Sequence, residues 1–176
     1  MTTASKITVV RILLIPVFMA AALMGYQLVA LAIFVLASAT DWLDGYIARK
    51  YDQISNFGKF MDPLADKLLV TAAMLLFVQW GRMAAWMLMV VLTREFAVSG
   101  LRMMAAASGK VIAAGWSGKI KTIVTMLGVI LMLTTIHDRI VVGGMTVDDL
   151  AVWAILVTTV YSGTEYLAEN RKIFAD

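Results

Sequence analysis

The sequence predicts an all-α integral membrane protein, a bundle of six transmembrane helices with both termini in the cytoplasm. Hydrophobic residues make up 61% of the 176 residues and charged residues only 15%, with a mean hydropathy of +0.85. Soluble domains average about 45–50% apolar and about 25% charged residues, so this composition indicates a membrane protein. Apolar segments of about 20 residues, the length that crosses a bilayer as a helix, recur along nearly the whole chain.

The first three predicted spans contain proline or aspartate within or beside their apolar stretches. Pro16 lies in the first, and we expect it to kink that helix. The apolar part of the second, LVALAIFVLASA, is too short to cross alone, so its helix must carry Asp41 and Asp44 into or near the inner leaflet. The third follows the polar linker KYDQISNF and carries Asp62 and Asp66. The predicted spans are 8–25, 28–48 and 60–80.

The last three spans differ in their ends. The fourth ends in the charged run TREFAVSGLRMMAAASGK, in which Arg94 and Arg102 are eight residues apart and therefore share a helix face. The fifth is an ordinary apolar helix whose outer end has the sole histidine, His137, which we expect to be solvated and without a chemical role. The sixth closes with charges of both signs that are spaced for local pairing, namely Glu165, Glu169, Arg171 and Lys172. These spans, 84–105, 118–136 and 148–168, complete one domain over residues 1–176.

The distribution of basic residues predicts the orientation. With a cytoplasmic N-terminus, only Arg82 and Arg139 of the 15 basic residues fall on the outer side, as the positive-inside rule requires. With this distribution, the net charge of +3 indicates association with a bilayer rather than binding to nucleic acid. The absence of Cys excludes disulfides and thiolate metal sites.

Four carboxylates stand out in the otherwise apolar chain: Asp41, Asp44, Asp62 and Asp66. An aspartate at membrane depth costs roughly 2.5–3.5 kcal/mol, so four of them need a cation or a water-filled cavity. The first two are three residues apart and the last two four apart, so each pair projects from one helix face. Oxygen ligands without His or Cys suit Mg²⁺, Mn²⁺ or Ca²⁺ rather than zinc. The pattern predicts a metal site of the kind used in phosphate chemistry.

Small and basic residues accompany the carboxylates. Gly45 either lets a bulky ligand approach the backbone or allows close helix packing. Ala48 extends the same small face, and Arg49 ends it with a guanidinium suited to bidentate phosphate contact. Thr8 and Arg11 are three residues apart. They either point together toward the cytoplasmic cavity, or are a capping threonine and an arginine that snorkels to the headgroups.

A second group of cations lies in and after the fourth span. Arg94 and Arg102 are followed by Lys110, Lys119 and Lys121 across a glycine-containing connection. These residues either contact anionic lipids as positive-inside residues, or form a basic pocket for an anionic substrate beside the metal cage.

The carboxylate region follows the pattern D-x2-D-G-x2-A-R-x8-G-x3-D-x3-D without a gap, which resembles the signature of the CDP-alcohol phosphotransferases. The resemblance implies the six-helix fold of that family, commonly a homodimer, with two ions of Mg²⁺ or Mn²⁺ as cofactor. It implies that the four aspartates are metal ligands and that Asp66 is also the base that takes the acceptor proton. The nucleotide-binding face that it implies is formed by Thr8, Gly45, Ala48, Arg49 and Gly58.

Two further runs, KITVVRILLIP and REFAVSGLRMMAAASGKVIAAGWSGKIKT, are similar to the bacterial branch of the family. That branch implies transfer of a phosphatidyl group from CDP-diacylglycerol to sn-glycerol 3-phosphate with release of CMP, on the cytoplasmic side of a bacterial plasma membrane. The five cations from Arg94 to Lys121 would then bind the acceptor phosphate. Two departures from the family pattern are Ala4-Ser5, where Pro-Asn is usual, and Thr125, where Gln is usual.

Other functions remain open from the residues alone. Relatives in the family accept inositol phosphate, serine or phosphatidylglycerol. Aspartate-rich membrane prenyltransferases also combine carboxylates with Mg²⁺, but they are longer and lack this spacing of Gly, Ala and Arg. A cation transporter would need a polar path through the outer halves of the helices, and the sequence offers no comparable path.

Overall fold

The computed structural model describes the backbone of residues 3–50, 56–109, 112 and 115–171; among these, the side chains of 3–6, 41–50, 56–63, 66 and 142 lie outside the description. Within these ranges the chain forms six helices and one short hairpin. Helices are therefore found at all six predicted positions. The elements are α1 (Thr3–Leu23), α2 (Gln27–Lys50), α3 (Asn56–Gln79), α4 (Ala85–Ala107), α5 (Trp116–Leu133), β1 (Ile140–Val142), β2 (Met145–Thr146) and α6 (Val147–Glu169).

The chain divides into two compact units. The first comprises Met1–Gln79 with Leu133–Thr135, and in it α1 contacts both α2 and α3. Its core holds Phe18 and Phe34, both fully buried, with ring centroids 5.9 Å apart. Gly25 has a φ of 84°, a left-handed conformation that glycine adopts without strain, so α1 ends and α2 begins within a tight turn.

The second unit comprises Trp80–Met132 with Ile136–Asp176, and its main helix pair is α4 with α6. Gly128 allows α5 to approach α6 closely, because a Cβ atom there would lie 2.8 Å from Ile155 Cδ1. Val98, Leu101 and Tyr166 form a buried cluster between α4 and α6. This cluster fixes one end of the helix pair that carries several of the predicted site residues.

The hairpin before α6 was not predicted from the sequence. β1 and β2 are antiparallel, and Gly143 and Gly144 connect them with φ values of 58° and 83°, as a two-residue hairpin turn of the primed type requires. Thr146 and Asp149 then form a capping box: the Thr146 side chain accepts from Asp149 N, and the Asp149 carboxylate accepts from Thr146 N. The hairpin thus leads directly into a well-capped helix.

The expectation that His137 is solvated is wrong. Its side chain is 20% exposed and lies between a cation and an anion. Arg82 Nη2 is 3.0 Å from His137 Nε2, and His137 Nδ1 is 3.4 Å from Asp148 Oδ2. Arg82 Nη1 also donates to the Met132 carbonyl at 3.0 Å. His137 therefore helps to join the end of α5 to the start of α6.

Two of the described helices, Trp116–Leu133 and Val147–Glu169, are long and apolar enough to span a membrane. Shorter apolar stretches occur at Ile7–Leu23, Gln27–Thr40 and Lys67–Gln79. Large apolar side chains such as those of Leu13 and Leu28 are also exposed, at 63% and 64%. Extended apolar surface of this kind is typical of contact with lipid. The protein is helical and associates with the membrane.

Candidate active site

The four aspartates lie on two helices that contact each other. α2 continues beyond its apolar stretch to Lys50, so Asp41 and Asp44 are within one continuous helix. Asp62 and Asp66 lie within α3, and α2 contacts α3. The backbone is helical at all four positions, which supports the grouping of Asp41 with Asp44 and of Asp62 with Asp66 by their spacing. The four carboxyl groups themselves lie outside the described side chains. An all-carboxylate donor set of this kind fits a hard divalent cation, and the metal assignment stays a prediction.

The predicted nucleotide-binding residues lie on the same two helices. Gly45, Ala48 and Arg49 belong to the last two turns of α2, and Gly58 belongs to the first turn of α3. Their helical backbone is described and their side-chain surroundings are not. Elsewhere, among the side chains that the structure does describe, no group of three or more His, Asp or Glu residues could hold a metal ion.

Thr8 and Arg11 lie inside the first unit. Thr8 is fully buried and Arg11 is 1% exposed, both on α1, the helix that contacts α2 and α3. Two alternatives from the sequence are therefore wrong. Thr8 is not a capping residue, because α1 already begins at Thr3. Arg11 does not snorkel to the surface, since a snorkelling side chain keeps its charged head in contact with water.

In the second unit, a buried ion cluster joins three helices. Glu95 Oε1 accepts from Arg94 Nη1 at 3.1 Å on its own helix and from Lys121 Nζ of α5 at 2.6 Å. Arg94 Nη2 donates to Ser162 Oγ of α6 at 2.6 Å. The side chains of Arg94 and Lys121 are only 13% and 7% exposed. Two of the five predicted acceptor cations are thus brought together, with a carboxylate between them.

Two glycines make room for Arg94. A Cβ atom on Gly163 of α6 would lie 3.0 Å from Arg94 Cγ, and one on Gly118 of α5 would lie 3.6 Å from Arg94 Nη2. Ser162, which accepts from Arg94, precedes Gly163 and is fully buried. The Ser-Gly step in α6 therefore provides both a hydrogen-bond acceptor and the space that the arginine side chain occupies.

Arg102 and Lys119 are exposed and stacked on aromatic rings. Arg102 Nε donates to Tyr166 Oη at 3.0 Å, and its Cζ lies 5.6 Å from the centroid of that ring. Lys119 Nζ lies 4.9 Å from the centroid of the Trp116 ring. Aromatic faces attract cations at these distances. The fifth predicted cation, Lys110, lies outside the described residues.

A groove of about 340 Å³ runs between α4 and α6. The exposed surface of its lining is mostly apolar and includes Met89, Val160 and Leu167. The polar lining residues are Thr93, Arg94, Thr159 and Thr164. Within the described part of the chain, Arg94 Nε and Thr159 Oγ1 make no hydrogen bond. Apolar walls suit a hydrocarbon chain rather than a glycerophosphate, so we do not place the acceptor in this groove.

The sequence analysis did not identify the residues that contact the predicted acceptor cations, which are Glu95, Ser162, Tyr166 and Trp116. Glu95 follows Arg94 directly, and an acidic residue inside an apolar span is itself a signal of function. Ser162 and Tyr166 are four residues apart on α6, hence on one helix face. That spacing could have indicated that Ser162 and Tyr166 share a polar face of α6. It could not have identified the residues of α4 that they contact.

Comparison with known proteins identifies the family of the chain. A sequence profile described as CDP-alcohol phosphatidyltransferase matches residues 1–161. The chain is 43% identical over 182 residues to the CDP-diacylglycerol--glycerol-3-phosphate 3-phosphatidyltransferase of Bacillus subtilis, covering 94% of this chain and 93% of that one. It is 32% identical over 171 residues to the protein of the same name from Rickettsia felis, covering 96% and 94%.

A third relative is the probable phosphatidylglycerophosphate synthase of Mycobacterium tuberculosis strain H37Rv, 34% identical over 171 residues, with coverage of 94% of this chain and 79% of that one. The profile match includes the four aspartates and ends before Ser162 and Tyr166. The chain belongs to the CDP-alcohol phosphatidyltransferase family and is an enzyme.

Proposed function

We propose that this enzyme transfers a phosphatidyl group from CDP-diacylglycerol to sn-glycerol 3-phosphate, giving phosphatidylglycerophosphate and CMP in phospholipid biosynthesis. The observation that carries the proposal is the 43% identity, over nearly the full length of both chains, to a relative named for this reaction. Membrane association and four aspartates on two helices that contact each other also suit a lipid donor that carries a diphosphate.

On the donor side, Asp41, Asp44, Asp62 and Asp66 are proposed to hold the divalent metal ions that this family uses. We assign two ions, Mg²⁺ or Mn²⁺. When bound, such ions would supply positive charge that offsets the negative charge of the donor diphosphate. The proposed contacts of the CDP moiety are Thr8, Gly45, Ala48, Arg49 and Gly58.

Asp66 is proposed to act as the general base. It takes the proton of the acceptor hydroxyl as that oxygen bonds to the phosphatidyl phosphorus, while the bond from this phosphorus to the CMP oxygen breaks. A carboxylate on α3, the helix that also carries Asp62, would lie beside the reacting phosphate. The negative charge of the broken diphosphate leaves with CMP.

On the acceptor side, glycerol 3-phosphate has about two negative charges and needs fixed cations. The exposed Arg102 and Lys119 are proposed to contact its phosphate directly, with Lys110. Arg94 and Lys121, in contrast, are largely buried and paired with Glu95. They would contribute positive potential rather than a free donor.

The proposal includes a membrane topology: six spans, one catalytic domain over residues 1–176, both termini in the cytoplasm and a homodimer in a bacterial plasma membrane. The apolar stretch of α2 ends at Thr40, directly before Asp41. The carboxylates would therefore lie at a membrane boundary, and the positive-inside rule makes that boundary cytoplasmic. Both substrates would then reach the site from the cytoplasmic side.

An acceptor panel with purified protein, CDP-diacylglycerol and Mg²⁺ or Mn²⁺ tests the proposal through release of CMP. Glycerol 3-phosphate should give the highest kcat/KM among glycerol 3-phosphate, inositol phosphate, serine and phosphatidylglycerol. A higher kcat/KM with another acceptor would refute the acceptor assignment and leave the family reaction intact. Metal flux into proteoliposomes without a CDP-lipid, in the absence of CMP release, would favour a transporter instead.

A further inference from the structure

Arg102 is held at one side of its guanidinium and open at the other. Its Nε donates to Tyr166 Oη at 3.0 Å, and its Cζ lies 5.6 Å from the ring centroid. Within the described part of the chain, its two terminal nitrogens make no hydrogen bond or ion pair, and the residue is exposed. The two terminal nitrogens of a guanidinium group can bind one phosphate through two parallel N–H groups.

Tyr166 is a rigid support for this arginine. It is 6% exposed and packs with Val98 and Leu101 between α4 and α6. Its carbonyl oxygen accepts from Asn170 N at 3.2 Å and from Asn170 Nδ2 at 2.8 Å, so the helix end beside it is capped. A buried ring with a capped backbone keeps its hydroxyl in one place.

We propose that Tyr166 is a positioning residue of the acceptor site, which orients Arg102 so that both of its terminal nitrogens are presented to the phosphate of the acceptor. This inference rests on the proposed function. Arginine loses rotamer freedom when it binds a ligand, and a side chain that is already oriented loses less. The Tyr166 hydroxyl therefore lowers the entropic cost of phosphate binding without touching the substrate.

The contrast with Arg94 shows why Arg102 has this role. Arg94 uses Nη1 for Glu95 and Nη2 for Ser162, so its terminal nitrogens are engaged inside the protein. Arg102 uses only Nε for its protein partner. Tyr166 lies beyond residue 161, where the family profile match ends, so the role is inferred from this structure alone.

The test is the variant Tyr166→Phe, which keeps the ring and removes the hydroxyl. We expect the KM for glycerol 3-phosphate to rise about threefold to tenfold, because an arginine that is no longer oriented must lose more rotamer freedom when it binds the phosphate. The kcat and the KM for CDP-diacylglycerol should stay essentially unchanged. The matched control is Tyr161→Phe on the same helix, whose side chain is 61% exposed and which should leave all three constants unchanged. Equal rises in both KM values would instead indicate a lipid-headgroup role for Arg102 and would overturn the inference.

A double-mutant cycle separates positioning from a general effect on folding. In an Arg102→Ala background, Tyr166→Phe should have no further effect on the KM for glycerol 3-phosphate, since the group that it orients is absent. A further rise of the same size as in the parent would refute the inference. An unchanged KM for glycerol 3-phosphate in Tyr166→Phe would also refute the inference, even where Arg102→Ala raises that KM. The proposed function would still stand after that result. If a different phosphorylated acceptor proves to be the substrate, the proposed function fails. The inference is then supported if Tyr166→Phe raises the KM for that acceptor in the parent and has no further effect in the Arg102→Ala background.

Discussion

Lys121 Nζ of α5 lies 2.6 Å from Glu95 Oε1 of α4, and both side chains are largely shielded from solvent. The same carboxylate oxygen accepts from Arg94, which in turn donates to Ser162 on α6. One glutamate therefore links the three long helices of the second unit. Because it balances two cations, its removal affects more than a single ion pair.

We predict that Glu95→Gln destabilises the protein by about 2 kcal/mol or more. Breaking a buried pair from one side costs roughly 3–5 kcal/mol, and the 20% exposure of Glu95 lowers that figure. Thermal unfolding of the purified protein in one fixed detergent measures the change. The control Glu169→Gln, at an exposed position at the end of α6, should have no effect.

The double variant Glu95→Gln, Lys121→Met extends this prediction. Since it removes both charges, it should be less destabilised than the sum of the two single variants. Strict additivity would mean that Glu95 and Lys121 contribute independently. The ion pair would then have no energetic role.

The carboxylate cluster gives a second prediction. Asp41→Asn, Asp44→Asn and Asp62→Asn should each abolish turnover and leave the fold intact, because an amide keeps the size of the side chain but loses the charge that balances a divalent ion. CMP release at saturating Mg²⁺ or Mn²⁺ measures the activity, and thermal unfolding reports the fold. Asp138→Asn, an exposed position before the hairpin, is the control and should remain active. Near-normal turnover in any of the three variants would show that the metal site is misassigned.

The acceptor cations give a third prediction. Arg102→Ala or Lys119→Ala should raise the KM for glycerol 3-phosphate tenfold or more, since a charge-assisted contact to phosphate contributes roughly 1.5–3 kcal/mol. The KM for CDP-diacylglycerol should change much less. Arg139→Ala, which removes an exposed cation beside β1, is the matched control. A parallel rise in both KM values would make Arg102 and Lys119 contacts to lipid headgroups or to the fold.

The sequence predicted the helices well because each of them coincides with a long, mainly apolar run of residues. All six predicted spans correspond to helices. The β1–β2 hairpin was missed, since strands of three and two residues are too short to show alternation. The same segment holds His137, whose partners Arg82 and Asp148 are far from it in the sequence.

The site was predicted unevenly for a related reason. Helical spacing groups Asp41 with Asp44 and Arg94 with Arg102, because that grouping depends only on residues within one helix. It does not identify a partner on another helix. The pairs Lys121 with Glu95 and Arg102 with Tyr166 therefore appear only once α4, α5 and α6 are packed.

Identification of the lipid product tests the central claim most directly. Purified protein is incubated with CDP-diacylglycerol, Mg²⁺ and glycerol 3-phosphate labelled with ¹³C, and the lipids are analysed by mass spectrometry while CMP is quantified. We predict one labelled phosphatidylglycerophosphate for each CMP released, and neither product when the metal is chelated. Release of CMP without a labelled lipid, or a labelled lipid that lacks the second phosphate at the earliest time point, would contradict phosphatidyl transfer to glycerol 3-phosphate.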